Sequence, residues 1–108
     1  MTKDQMLVQL NNPKVVERAL IRLYERQTDD ERQLQITRHS NSRGFNAFDA
    51  TFLSSLSEQV INSTYPIGRR LSRSQLAFAQ KKLRKYAGQL VDIANEVAAQ
   101  RIAQNASV

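Results

Sequence analysis

Apolar residues fall at alternating steps of three and four along most of this chain, the spacing that lines one face of an α-helix. The longest such seam is Leu76, Ala79, Leu83, Tyr86, Leu90, Ile93 and Val97. It predicts a helix over 73–103, opened by a capping box in which Ser72 and Gln75 satisfy each other's backbone N–H groups. The pairs Val15/Val16, Ala19/Leu20 and Leu23/Tyr24 recur every four residues and predict a helix over 13–27. Asn12 suits its N-cap and Pro13 its first position, where the missing N–H costs nothing. Thr28-Asp29-Asp30-Glu31 reads as another capping box, starting a short helix over 29–36 that runs through Leu34 and Ile36. Phe48, Phe52, Leu53, Leu56 and Val60 predict a buried stripe on a helix over 47–62, with Asn46 as N-cap and Phe45 stapling the entry. Met6, Leu7 and Leu10 mark a short amphipathic piece over 4–10.

The pattern gives an all-α fold, a small single-domain helical bundle over 1–108 with a long C-terminal basic amphipathic helix. Its expected centre is Val16, Leu20, Leu23, Phe52, Leu56, Leu76, Leu83, Tyr86 and Leu90. Residues 37–46 and 62–71 read as loops, the second broken by Pro66 and Gly68. Beyond Val97 the seam turns polar at Gln100 and Gln104. A helix of about 30 residues is about 45 Å long, against a radius of gyration near 13 Å for a domain of this size. The 98–108 tail is therefore expected to overhang, to fray, or to pair with a second copy in a homodimer. Gly88, on the outer side of the long helix, marks close packing or a partner's approach.

Composition narrows the chemistry. There is no Cys, which excludes disulfides and thiolate metal sites. No run approaches the roughly 18–20 apolar residues of a membrane span, and the N-terminus lacks a signal peptide's apolar region. A soluble, cytoplasmic protein is expected. No catalytic, metal or cofactor site emerges. His39 sits in a polar loop with no partner arrangement. Ser54, Ser55 and Ser57 have no base in reach. The adjacent acids of 29–31 point in different directions, and Gly68-Arg69-Arg70 lacks the spacing of a phosphate-binding loop.

Charge changes the picture most. Residues 1–36 hold six basic and six acidic residues, 37–68 two of each, and 69–108 eight basic and two acidic, so the whole net charge of +6 lies in the last part. No acid occurs between Glu58 and Asp92. Arg69, Arg70, Arg73, Lys81, Lys82, Arg84 and Lys85 sit on the back of the long helix and in the loop before it. They are the candidate binding residues, facing an anionic partner: DNA, RNA, a nucleoprotein or an acidic protein surface. A secondary surface is the ridge of Lys14, Arg18, Arg22 and Arg26, with Ile21 projecting among them, together with Arg38 and Arg43 in a loop suited to wrap a partner and order on binding.

Four stretches, Leu23-Tyr24-Glu25-Arg26-Gln27-Thr28-Asp29-Asp30-Glu31, Gly44-Phe45-Asn46-Ala47-Phe48-Asp49-Ala50-Thr51-Phe52-Leu53-Ser54-Ser55-Leu56, Leu71-Ser72-Arg73-Ser74-Gln75 and Lys81-Lys82-Leu83-Arg84-Lys85-Tyr86-Ala87-Gly88-Gln89-Leu90, resemble a group of small, mostly uncharacterised phage and prophage accessory proteins. The similarity covers roughly 15–95, and the loop 62–70 is longer than the short turn usual in that group. The resemblance implies a phage or mobile-element origin, a bacterial host cytoplasm and no established enzymatic activity. Three functions are expected in order. The first is a non-catalytic protein docking on a host nucleic-acid-handling complex, such as an anti-CRISPR-like inhibitor. The second is a direct DNA- or RNA-binding protein, and the third a helical oligomerisation module.

Overall fold

The structure, a computed structural model, describes residues 1–34, 45–46 and 48–106. It is all-helical among those residues. Helix α1 spans Lys3–Gln9, α2 Pro13–Leu34, α3 Ala50–Asn62, α4 Arg73–Leu83 and α5 Ala87–Ala106, with a 3-10 turn at Arg84–Tyr86 between α4 and α5. The molecule measures 43 × 33 × 29 Å. Helix α2 is the hub, packing against α3 on one side and against α4 and α5 on the other, while α1 lies across α5. No helix among the described residues is long and apolar enough to cross a membrane.

The expected break at Thr28 is absent. Helix α2 runs unbroken through Thr28 to Leu34, because neither Gly nor Pro interrupts the stretch after Pro13. The capping residues elsewhere act as their spacing suggests. Ser72 Oγ accepts from the Gln75 N–H at 3.2 Å, and Gln75 Oε1 accepts from the Ser72 N–H at 3.0 Å. A box of the same form, Thr2 with Gln5, opens α1. Asn46 Oδ1 accepts from the Asp49 N–H at 2.9 Å, so Asn46 caps the turn that leads into α3, and the regular helix begins only at Ala50.

The core is centred on Val16, Leu20, Leu23, Leu53, Val60, Ala79 and Leu83, all without solvent exposure, with Leu56, Tyr86 and Leu90 beside them. Leu76 is only half-buried. Phe52 is not in the core at all: it is 66 % exposed. Leu53, Leu56, Ser57 and Val60 form the buried face of α3 instead. Ser57 lets α3 approach α2 closely, its hydroxyl donating to the Leu53 carbonyl at 2.7 Å or the Leu20 carbonyl at 3.2 Å.

The connection between α3 and α4 is clamped to α2 by a buried carboxylate. Glu17 is 1 % exposed. Its two oxygens accept from the Gly68 N–H at 2.7 Å and the Arg70 N–H at 2.9 Å, which satisfies a charge that would otherwise be costly to bury. Gly68 sits at φ +97°, and a Cβ there would stand 2.8 Å from Lys14 Cγ. Gly88 marks close packing, the first of the two readings anticipated for it: an added Cβ would meet Lys3 Cε at 3.1 Å, where the α1 side chain crosses α5.

Candidate functional site

Helix α4 and the 3-10 turn after it carry five of the seven predicted binding cations. Arg73, Lys81 and Arg84 are exposed and project within about a quarter-turn of one another, away from the buried Ala79 and Leu83. Lys81 and Arg84 border a groove of about 410 Å³ against Leu7, Leu10 and Asn11 of the α1 end. Arg69, in the preceding loop, is also exposed.

Arg70 is turned inward. Its Nε donates to the Tyr65 carbonyl at 2.7 Å and its Nη1 to the Val60 carbonyl at 3.1 Å. The guanidinium thus caps the C-terminal end of α3, where a cation also meets the negative pole of the helix.

Lys82 and Lys85 lie further round α4 and meet an acid distant in sequence. Asp49 is 3 % exposed. Lys85 Nζ pairs with its Oδ2 and Lys82 Nζ stands 3.9 Å from its Oδ1. The Tyr86 hydroxyl donates to Asp49 Oδ2 at 2.7 Å and accepts from the Asn46 N–H at 3.0 Å. Burial by itself pushes the Asp49 carboxyl up. The hydrogen bonds from Lys85 and Tyr86, with the charges of Lys85 and Lys82, outweigh it and hold the group below its ordinary value. Burial, and the carboxylate its hydroxyl serves, push the Tyr86 phenol well above its ordinary range despite the Asn46 bond.

Above this acid stands an exposed aromatic cluster. Phe48 is 84 %, Phe52 66 % and Phe78 38 % exposed. The Phe52 and Phe78 rings meet edge to face, 6.2 Å between centroids and 63° between planes. Lys82 Nζ lies 6.0 Å from the Phe48 centroid and 5.7 Å from that of Phe78, within reach of a cation–π interaction. Between α3 and α4 a groove of about 440 Å³ is lined by Phe52, Ser55, Leu56, Ser74, Gln75 and Phe78. Gln75 on its wall exchanges amide hydrogen bonds of 2.8 and 2.9 Å with Gln59.

The secondary surface is divided. Arg18 and Arg22 are exposed and border an apolar groove of about 400 Å³ between α2 and α5, lined by Met6, Val15, Ala19, Leu90, Ile93, Ala94 and Val97. Arg22 also reaches Glu25 at 3.8 Å. Ile21 does not project from this face as expected. It is half-buried against the core, because α2 is covered on two sides and its buried arc is wider than its apolar stripe. Arg26 is drawn in as well, donating to the Gln89 carbonyl at 3.4 Å, with its Nε buried and without a hydrogen-bond partner. Arg38, Arg43 and His39 lie outside the described residues.

The aromatic cluster is the feature that the sequence pattern hides. Phe48 and Phe52 keep helical spacing, which reads as core. The signal against it is on the same ridge: Ser55 and Gln59, one and two turns on, are polar. Phe78 likewise falls off the seam of Leu76, Ala79 and Leu83. Among the described residues, no cluster of His, Asp or Glu could hold a metal ion. No protein-family model, curated protein or solved structure matches the chain.

Proposed function

We propose that this is a non-catalytic binding protein of the phage-accessory type, which docks through its basic face on a nucleic-acid-handling complex of a bacterial host and inhibits it, as an anti-defence protein of the anti-CRISPR kind would. The observation that carries the docking half is the outer face of α4 and the 3-10 turn after it: Arg73, Lys81 and Arg84 are all exposed along it, with Arg69 ahead of them. The stretch between Glu58 and Asp92 itself contains no acid. A one-signed surface of this kind raises a local potential that draws in an anionic partner. The phage and anti-defence half rests on the resemblance of 15–95.

The test is capture from bacterial lysate with and without nuclease, using the native chain and the Lys81→Glu, Arg84→Glu double variant. Both positions are exposed, so the variant should fold with an unchanged helical spectrum. The expected result is a nucleic-acid-handling complex retained by the native chain and lost by the variant. Full retention by the variant would show that another face does the docking.

A further inference from the structure

The exposed rings and the cations beside them occupy one side of the molecule. From this we infer that the surface takes single-stranded nucleic acid, its bases laid on Phe48 and Phe52 and its phosphates held by Lys81, Lys82 and Lys85. The inference rests on the reading above and deepens it, naming the strand of such a complex as what this surface touches.

Three observations carry it. First, Phe48 and Phe52 are 84 % and 66 % exposed on adjacent turns, and ring faces left in water gain by being covered. Every base offers a π-face, so stacking on such rings needs no particular sequence. Second, the charges are where a backbone beside those bases requires them. Lys82 Nζ lies within 6.0 Å of the Phe48 and Phe78 ring centroids, and Lys81 and Lys85 are exposed on the adjoining ridge of the same helical stretch. Third, among the described residues the acid that pairs with these lysines faces inward. Asp49 is 3 % exposed. It pairs with Lys82, which stands beside the rings, and with Lys85, and offsets one of their two charges, yet it presents no carboxylate to a strand.

The choice of ligand follows from shape as well as charge. A duplex keeps its π-faces stacked inside and has none to offer Phe48 or Phe52. An apolar protein segment would cover the rings but leave Lys81 and the residual charge of the Lys82–Lys85 pair without a counterpart. A single strand supplies both.

The experiment is fluorescence anisotropy of the full chain with labelled oligo-dT and oligo-rU of about twenty nucleotides and a duplex of the same length. Salt runs from about 50 to about 200 mM. Either single strand should bind at least about tenfold more tightly than the duplex, with a log–log salt slope near −1.4, about two phosphates neutralised on a single strand, since Asp49 already offsets one of the three lysine charges. The Phe48→Ala, Phe52→Ala double variant should lose at least about tenfold in affinity, in line with stacking lost from two bases. Both side chains are exposed, so its melting temperature should stay that of the native chain. Failure of both strands to bind at the lowest salt overturns the inference, while nuclease-resistant capture of the complex would leave the docking reading standing. Strand binding with nothing captured from lysate would do the reverse. Loss of the nuclease-treated complex by the ring variant, with strand binding unchanged, would assign the rings to a protein contact and also overturn it.

Discussion

Asp49 shows how much of this molecule turns on one side chain. Read along the chain, it is the third position of a helix start. In space it lies under Lys82, Lys85 and the Tyr86 hydroxyl, and it ties the entry of α3 to the end of α4. Its carboxyl is held below its ordinary value, so the sign of the linkage is fixed. The charged form stabilises the fold at every pH above the unfolded carboxyl value near 4, and that contribution is lost as pH falls through the lower folded value. Asp49→Asn should therefore cost about 1–3 kcal/mol at neutral pH, because the Tyr86 hydroxyl and two ammonium groups lose a charged acceptor while the two lysines can still reach water. The loss should shrink as acid also protonates the native carboxyl. Melting temperatures of the two proteins at pH 7 and at about pH 3 check this: a constant gap would show that the carboxylate charge is not what matters. None of this was legible in the sequence. Residues 37 and 40 positions apart meet there, and no local pattern encodes such a meeting.

At the scale of elements, local rules succeed where the satisfying partner is close in sequence. Ser72 finds Gln75, Asn46 finds Asp49, and the seam from Ala79 to Ile93 faces inward as its spacing demands. The same rules fail where a helix has more than one neighbour or a weaker one. Thr28 has the letters of a cap, but α2 passes straight through it. Phe52 has the spacing of core, but Leu53 and Ser57 supply the closer fit to α2 and leave the ring outside. The α3–α4 connection is a further case, since its conformation is set by Glu17 on a different helix. Glu17→Ala would leave the Gly68 and Arg70 N–H groups without their acceptor, and two charge-assisted hydrogen bonds would go at once. A loss of about 2–4 kcal/mol is expected in denaturant titration. Loss of amide protection from hydrogen exchange should be concentrated in residues 63–72. A variant as stable as the native chain would mean that Arg70, through Tyr65 and Val60, holds this connection by itself.

At the scale of the whole molecule, the apolar core and the exposed cations occupy different places. The core lies between α2 and its neighbours, whereas the net charge of +6 comes from residues 69–108, where Arg69, Arg73, Lys81, Arg84 and Lys85 are exposed on the loop, α4 and the 3-10 turn. The existence of a charged side was legible because composition alone reveals it. Its division was not, because Arg70 and Lys82 look like their neighbours in sequence and differ only in what the fold places beside them. Separation of this kind has a kinetic consequence. Reversing Lys81 and Arg84 to Glu changes each residue's charge by two, so the net charge falls from +6 to +2, while the core is untouched. Exposed substitutions away from caps and buried networks shift stability by only about 0.5 kcal/mol, so the melting temperature should move by a few degrees at most. Association with an anionic partner should suffer far more, because long-range attraction acts on encounter. At about 50 mM salt the association rate should drop by roughly tenfold or more and its dependence on ionic strength should flatten. Dissociation should accelerate only as far as Lys81 and Arg84 make direct contacts. Stopped-flow or surface-based kinetics across a salt series separates the two rates. If the association rate and its salt dependence matched those of the native chain, the outer face of α4 would not be the surface that the partner first meets.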